Sequence, residues 1–250
     1  MLRSLAAAAT LAFCVAGTAA APAVASTSQV LYGFAWADGA DTLRVVPAKA
    51  TLVKGSRPPR YTLTPVSGTK DRRFDYSGAD FRRITAECGL KETEGVVKVD
   101  AKGLGRTRCR AGDLTFALGL GPVPVRISPD TATPGAAKRV HEFLVTPATP
   151  KTAYGTIRRQ NDTTVVFTAR GRSVKLGYTT LFFNRVTGKC GHAWLADHVN
   201  AGRGGLGTRN CATPAFTKAL KAVKHPVRAK VYYSPVSGQL FEVWEVFGDA

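Results

Sequence analysis

Four cysteines fall into two pairs of equal spacing, and that arithmetic constrains the fold more than any other feature of the chain. Cys88 and Cys109 lie 21 positions apart, and so do Cys190 and Cys211. The pairs are offset by 102 residues, and the same offset carries further identities. Tyr76, Phe81, Arg83, Thr85 and Gly89 recur as Tyr178, Phe183, Arg185, Thr187 and Gly191. Gly103-Leu104-Gly105 recurs as Gly205-Leu206-Gly207, Ala117-Leu118 as Ala219-Leu220, and Pro124-Val125-Arg126 as Pro226-Val227-Arg228. With one inserted residue, Gly135, Val140 and Glu142 then meet Gly238, Val243 and Glu245. The chain is a tandem duplication. Four cysteines formally allow three connectivities. A unit copied twice keeps its local pairings, so the expected bridges are Cys88–Cys109 and Cys190–Cys211. In the chain-entropy model, closing a loop of this length contributes about 3 kcal/mol.

The N-terminus has a different character. Arg3 precedes an apolar run over residues 5–20, followed by Pro22 and the small-x-small sequence Ala23-Val24-Ala25. This pattern reads as a secretory signal over residues 1–25, with Ser26 opening a secreted, extracellular protein. No later segment approaches the roughly 18 uninterrupted apolar residues of a membrane span. The remaining chain divides into a first repeat domain over 26–146, carrying an N-terminal extension, and a second over 147–250. The divide falls in the Pro/Thr-rich stretch 146–150. Residues 26–54 have no counterpart in the second repeat by sequence.

Within the second repeat, residues 163–169 (TTVVFTA) are rich in β-branched side chains and read as a strand. Residues 173–187 supply one or two more, and 191–210 form a glycine-rich loop between the cysteines. Thr213-Pro214 opens a helix, with Phe216, Ala219, Leu220 and Val223 on one apolar face. Strands follow over 227–233 and 240–247, joined by a turn at 234–238. The first repeat follows the same plan, with its helix at 113–120. The expected fold class is therefore α+β: two small tandem domains, each an antiparallel sheet with one main helix and one disulfide.

The chemistry-bearing residues are sparse. His192, Asp197 and His198 sit in the second cysteine loop and are candidates for a metal or acid–base site. Their spacing suits neither a helical pair nor a zinc finger, and the first repeat has Leu90 and Val96 in place of the histidines. The paired cysteines remove a thiol nucleophile. The Gly-Leu-Gly motifs lack the context of a phosphate-binding loop and read as tight turns. No catalytic residue, metal ligand or cofactor is assigned. The charge is the more informative quantity: 35 Lys+Arg against 17 Asp+Glu give +18, and loss of Arg3 with the signal leaves +17. Arginines cluster at Arg82-Arg83, Arg158-Arg159, Arg170 with Arg172, and above all at Arg106, Arg108 and Arg110 beside a bridged cysteine. Those three are the candidate anion-binding residues, and an anionic cell-envelope polymer is the partner they imply. Aromatic residues are not interleaved with the clusters, so nucleic acid is not the expected ligand.

Each repeat also resembles the secreted subtilisin-inhibitor family of actinobacteria over residues 76–144 and 178–247. The likeness rests on Thr85-Ala86-Glu87-Cys88 and Thr187-Gly188-Lys189-Cys190, and on Pro-Val at 124 and 226. Trp244-Glu245-Val246-Phe247 adds the closing strand, with His141-Glu142-Phe143-Leu144 as its looser copy. The resemblance implies a non-enzymatic inhibitor of an extracellular serine protease. In that family a second disulfide holds an inhibitory loop before Pro-Val, and both repeats lack those cysteines. Lys221, Lys224 and His225 occupy the nearest stretch of the second repeat and are the candidate protease-contact residues. The competing reading makes them solvated charges at a helix C-terminus. Protease inhibition is thus the leading expectation, and a basic module docking on a cell-envelope polymer is the alternative.

Overall fold

The computed structural model describes residues 29–66 and 68–248, so the stretch 1–25 expected to be a secretory signal, and Ser26, lie outside the described residues. Among the described residues no helix is long and apolar enough to cross a membrane. The first repeat runs β1 (Leu31–Ala37), β2 (Thr42–Leu52), β3 (Tyr61–Pro65), β4 (Arg72–Asp75), β5 (Asp80–Arg83) and β6 (Thr107–Cys109). It then continues through α1 (Ala111–Leu120), β7 (Val123–Pro129) and β8 (Ala137–Glu142). The second runs β9 (Lys151–Arg159), β10 (Thr164–Ala169), β11 (Arg172–Gly177), β12 (Phe182–Arg185) and β13 (Arg209–Cys211). It closes with α2 (Thr213–Lys221), β14 (Val227–Tyr233) and β15 (Leu240–Glu245).

The α+β expectation is corrected here. The protein is mostly β, with two large mixed sheets of eight and seven strands and two α-helices of ten and nine residues. The sheets are mixed because β5 pairs β8, and β12 pairs β15, in parallel. A parallel pair needs a long crossover, and the cysteine loop, helix and following strand supply it in each repeat. The strand content is larger than expected because β9 joins the second sheet ahead of the strands expected from 163 onward, and a short strand at each second cysteine, β6 or β13, pairs into its sheet. Their orders are β3-β2-β1-β7-β8-β5-β6 and β11-β10-β9-β14-β15-β12-β13, with β4 pairing β2.

Residues 31–52, which find no counterpart by sequence, acquire one in the structure. β1 stands against β2 and β7 as β9 stands against β10 and β14. Gly33 and Gly155 occupy the same node: a Cβ there would stand 2.1 Å from the Val46 carbonyl oxygen and 2.2 Å from that of Thr168. What the first repeat has in addition is the outer half of β2 and β3. This hairpin builds a satellite core of Tyr61, Leu63, Leu104 and Phe143 against Tyr32 and Phe34.

The sequence match of Pro124-Val125 with Pro226-Val227 is also corrected. Val125 faces Gly33 and Glu142, whereas the residue facing Gly155 and Glu245 is Ala229. The strands are therefore two residues out of step with the sequence alignment. The cause is local: two residues join α1 to β7, whereas five, 222–226, join α2 to β14.

Each helix lies on one face of its sheet. Leu114, Ala117 and Leu118 of α1 pack on Phe81, Val125, Ile127 and Val140, and Phe216, Ala219 and Leu220 of α2 pack on the corresponding residues of the second sheet. The helix hydroxyls repeat too, since Tyr76 Oη lies 2.9 Å from Thr115 Oγ1 and Tyr178 Oη lies 3.2 Å from Thr217 Oγ1. Both expected disulfides, Cys88–Cys109 and Cys190–Cys211, are present. Under each bridged loop lies a buried ion pair, Arg83 with Glu142 at 3.0 Å and Arg185 with Glu245 at 2.6 Å. These arginines also donate to loop carbonyls, those of Cys88 and Leu90 in one repeat and of Cys190, His192 and Ala193 in the other. Each pair ties the cysteine loop to the final strand through charge-assisted hydrogen bonds. The Gly-Leu-Gly motifs serve the same junction. Gly105 N–H donates to the Glu142 carbonyl and Gly207 N–H to that of Glu245, and a Cβ on either glycine would collide with the β5 or β12 backbone.

Candidate anion-binding face

Side chains alternate across a strand, so one face of each sheet meets the helix and the other is left for solvent or a partner. Arg82 and Arg83, adjacent in sequence, consequently part company. Arg83 turns inward to Glu142, and Arg82 turns outward. Register then decides what stands beside Arg82. On β6 it is Arg108, on β8 it is His141, and beyond His141 on β7 it is Arg126. Four strands thus carry Arg108, Arg82, His141 and Arg126 in one transverse row, at the ~4.8 Å spacing of neighbouring strands. Arg139 and Asp80 form the next row.

The charges in this patch are unbalanced. Asp80 Oδ1 accepts from Arg82 Nε at 3.0 Å and stands 3.5 Å from Arg108 Nε, while Oδ2 accepts from Arg139 Nε at 3.0 Å. Three guanidiniums share one carboxylate. Burial alone would raise the Asp80 carboxyl, but hydrogen bonds and charge from Arg82 and Arg139 outweigh it and hold it below the ordinary value. His141 responds in the opposite sense. Its burial, with the charges of Arg139, Arg126 and Arg82, pushes the imidazole below its ordinary value, against a bond to the Gly105 carbonyl. A carbonyl only accepts, so Nδ1 carries the proton at 3.1 Å and Nε2 is the site left for a second one.

Of the arginines singled out in the sequence, Arg108 belongs to the row, and Arg106 and Arg110 are exposed on either side of β6. Arg106 presents its carbonyl to Arg82 Nη1, and Arg110 N–H donates to Asp113 at the start of α1. Arg126, Arg139 and His141 were not legible as members. Their alternation places them on an outward face, but only pairing across a parallel strand puts them beside Arg82.

The second repeat keeps the frame and changes the chemistry. Its equivalent row is Asn210, Asn184, Trp244, Lys230 and Tyr154. Lys221, Lys224 and His225 lie elsewhere, at the end of α2 and on the connector 222–226. Lys221 Nζ is paired with Asp162 at 2.8 Å, and Lys224 and His225 are exposed.

The histidine cluster divides. His192 Nδ1 lies 3.0 Å from Asp197 Oδ2, and Asp197 Oδ1 accepts from the Gly188 amide. Against the upward push of burial, those bonds hold the Asp197 carboxyl below its ordinary value. His198 instead stacks on Phe247 with ring centroids 4.5 Å apart. Among the described residues, the one group of three ligand types close enough to hold a metal is Cys88, Cys109 and Asp113, and both of its sulfurs are consumed by the disulfide.

Known proteins provide no match: no family model, no curated protein and no solved structure is similar to this chain. The functional reading therefore rests on the two sheet faces and on the sequence motifs.

Proposed function

We propose that this is a secreted binding module whose first sheet docks on an anionic cell-envelope polymer. The observation that carries the reading is the in-register row Arg108, Arg82, His141 and Arg126, with Arg139 beside it and Asp80 as the local counter-charge. Strand pairing fixes the backbone positions from which these side chains project, so the spacing of the row is set in folding rather than on binding. Arg forks suit phosphate and carboxylate oxygens, and a repeating polyanion presents several of them to the row at once. Released counterions supply the driving force, which makes salt the decisive variable.

The protease-inhibitor reading has the exposed Lys224 and His225 in its favour. Val223 of the five-residue connector packs on the core, but among the described residues no disulfide closes around the stretch that carries Lys224 and His225. A contact loop without bracing loses affinity to ordering.

Cosedimentation with isolated cell walls tests the proposal. Binding at low salt is expected, lost as salt rises, and weakened by Arg82→Gln, Arg108→Gln and Arg139→Gln together. Retention by that triple variant, or equal binding of double-stranded nucleic acid, overturns it. Inhibition of a subtilisin-like or trypsin-like protease at about micromolar protein would favour the other reading.

A further inference from the structure

The corner of the second sheet that replaces the first sheet's Arg139–Asp80 row has the makings of a different site. β14 and β15 change register between Tyr232 and Tyr233, which leaves Phe241 as an extra residue opposite Tyr232. A bulge of this kind re-aims a side chain, and the Phe241 ring lies 5.6 Å from that of Tyr232. Glu242 faces Tyr232 on one side and Phe182 on the other. Phe182 is 61% exposed, an unusual setting for phenylalanine on a paired strand. Together with Pro150 and Leu181 these residues line a cavity of about 550 Å³.

Comparison of the repeats shows how far this corner has diverged. The same bulge in the first repeat leaves Lys138 as its extra residue, and the positions of Tyr232, Glu242 and Phe182 are held there by Ser128, Arg139 and Asp80. A basic corner with an internal ion pair has become three aromatic rings around one carboxylate. Glu242 Oε1 accepts from Asn184 Nδ2 at 2.5 Å, and Asn184 is held in turn by Asn210. No lysine or arginine pairs with Glu242 among the described residues, although the protein carries twice as many basic as acidic residues. The neighbouring row already holds an ammonium on aromatic faces, since Lys230 Nζ lies 4.8 Å from the Trp244 ring centroid and 5.7 Å from that of Tyr154.

We propose that Phe182, Tyr232, Phe241 and Glu242 form a binding site for a small organic cation of the trimethylammonium class. Aromatic faces attract a weakly hydrated cation through their quadrupoles, and the carboxylate supplies the counter-charge. Because Glu242 is oriented by Asn184 rather than neutralised by a cation, its charge remains available to the cavity. This site is independent of the arginine face, so either reading can fail without the other.

The test follows the N-methyl proton resonance of choline added to the full chain. An upfield, broadened N-methyl signal is expected, from ring currents of the cage, with a dissociation constant on the order of 1 mM. The uncharged alcohol carrying a tert-butyl group in place of trimethylammonium should bind about tenfold more weakly. Glu242→Gln should weaken choline by about tenfold, and Phe182→Ala should remove most of the upfield shift. Phe182 is exposed and Glu242 is half-buried, and an unchanged far-UV circular dichroism spectrum with an unchanged urea-unfolding midpoint establishes that each variant is folded. The proposal is overturned if the uncharged analogue binds as tightly as choline, if either variant behaves as the parent protein, or if a neutral methyl glycoside is bound instead. Absence of any shift up to about 50 mM choline also overturns it.

Discussion

Replacing Arg185 with methionine probes the brace beneath the second cysteine loop. Arg185 and Glu245 are both completely buried, with Nη2 at 2.6 Å from Oε1. The guanidinium also donates to the carbonyls of Cys190 and His192 at 2.8 Å and of Ala193 at 2.7 Å. Methionine fills much of the aliphatic space but leaves a buried carboxylate without a cation and four carbonyls without that donor, the fourth being that of Lys189 at 3.3 Å. Breaking one side of a buried pair costs about 3–5 kcal/mol, and each orphaned carbonyl adds on the order of 1 kcal/mol. The sum rivals the whole stability of a small domain, about 5–15 kcal/mol. Urea unfolding followed by tryptophan fluorescence should show the second repeat melting early or failing to fold, since Trp194 and Trp244 report on it. Adding Glu245→Leu should restore about 1 kcal/mol, because the unpaired charge is removed while the orphaned carbonyls remain and the Val186 and Leu195 amides lose their acceptor. A loss below about 1 kcal/mol for Arg185→Met refutes the reasoning, as does a double variant in which the two losses simply add.

Other outcomes follow from the same geometry. Arg82→Gln and Arg108→Gln should each lower the salt slope of polyanion binding by about one, read from binding isotherms at several salt concentrations. Because the folded His141 value lies below the ordinary one, the unfolded chain takes up a proton first as pH falls. Stability from this group is therefore complete above the ordinary histidine range and declines below it. A bound polyanion favours the imidazolium, so affinity should rise as pH falls from about 7 to about 5, and His141→Gln should flatten that rise. Gly33→Ala and Gly155→Ala should each cost about 2–3 kcal/mol in chemical denaturation, because the new methyl group meets a carbonyl oxygen with no room to move. Replacing Cys88 and Cys109 by serine should cost about 3 kcal/mol, measured under oxidising conditions.

The candidate face shows how far a linear reading reaches. Arg106, Arg108 and Arg110 stand out as a cluster in the chain, and Arg108 does enter the row, yet Arg126, Arg139 and His141 arrive from strands 18 to 33 residues further along. Arg83 and Arg185 illustrate the converse. Their recurrence with Glu142 and Glu245 is visible as identities between the repeats, but identity does not reveal that each Arg meets its Glu beneath a disulfide loop. Charge alone would count Arg82 and Arg83 together, whereas the two-residue period of a strand sends them to opposite faces.

The local and repeated features are written in the order of the chain. These are the duplication, the two 21-residue bridges, the helix after each second cysteine, and the strands at 227–233 and from 240 onward. Such features depend on spacing and on neighbours within a few residues, which a chain carries in its order. Long-range packing, by contrast, sets the mostly β fold, the recurrence of β1 and β2 as β9 and β10, and the two-residue slip of Pro-Val. It also decides which outward side chains share a row, because a strand's alternation defines its faces but not its partner. Pairing is chosen by contacts remote in sequence, here a parallel crossover closed through a helix, and the candidate faces exist only once that choice is made.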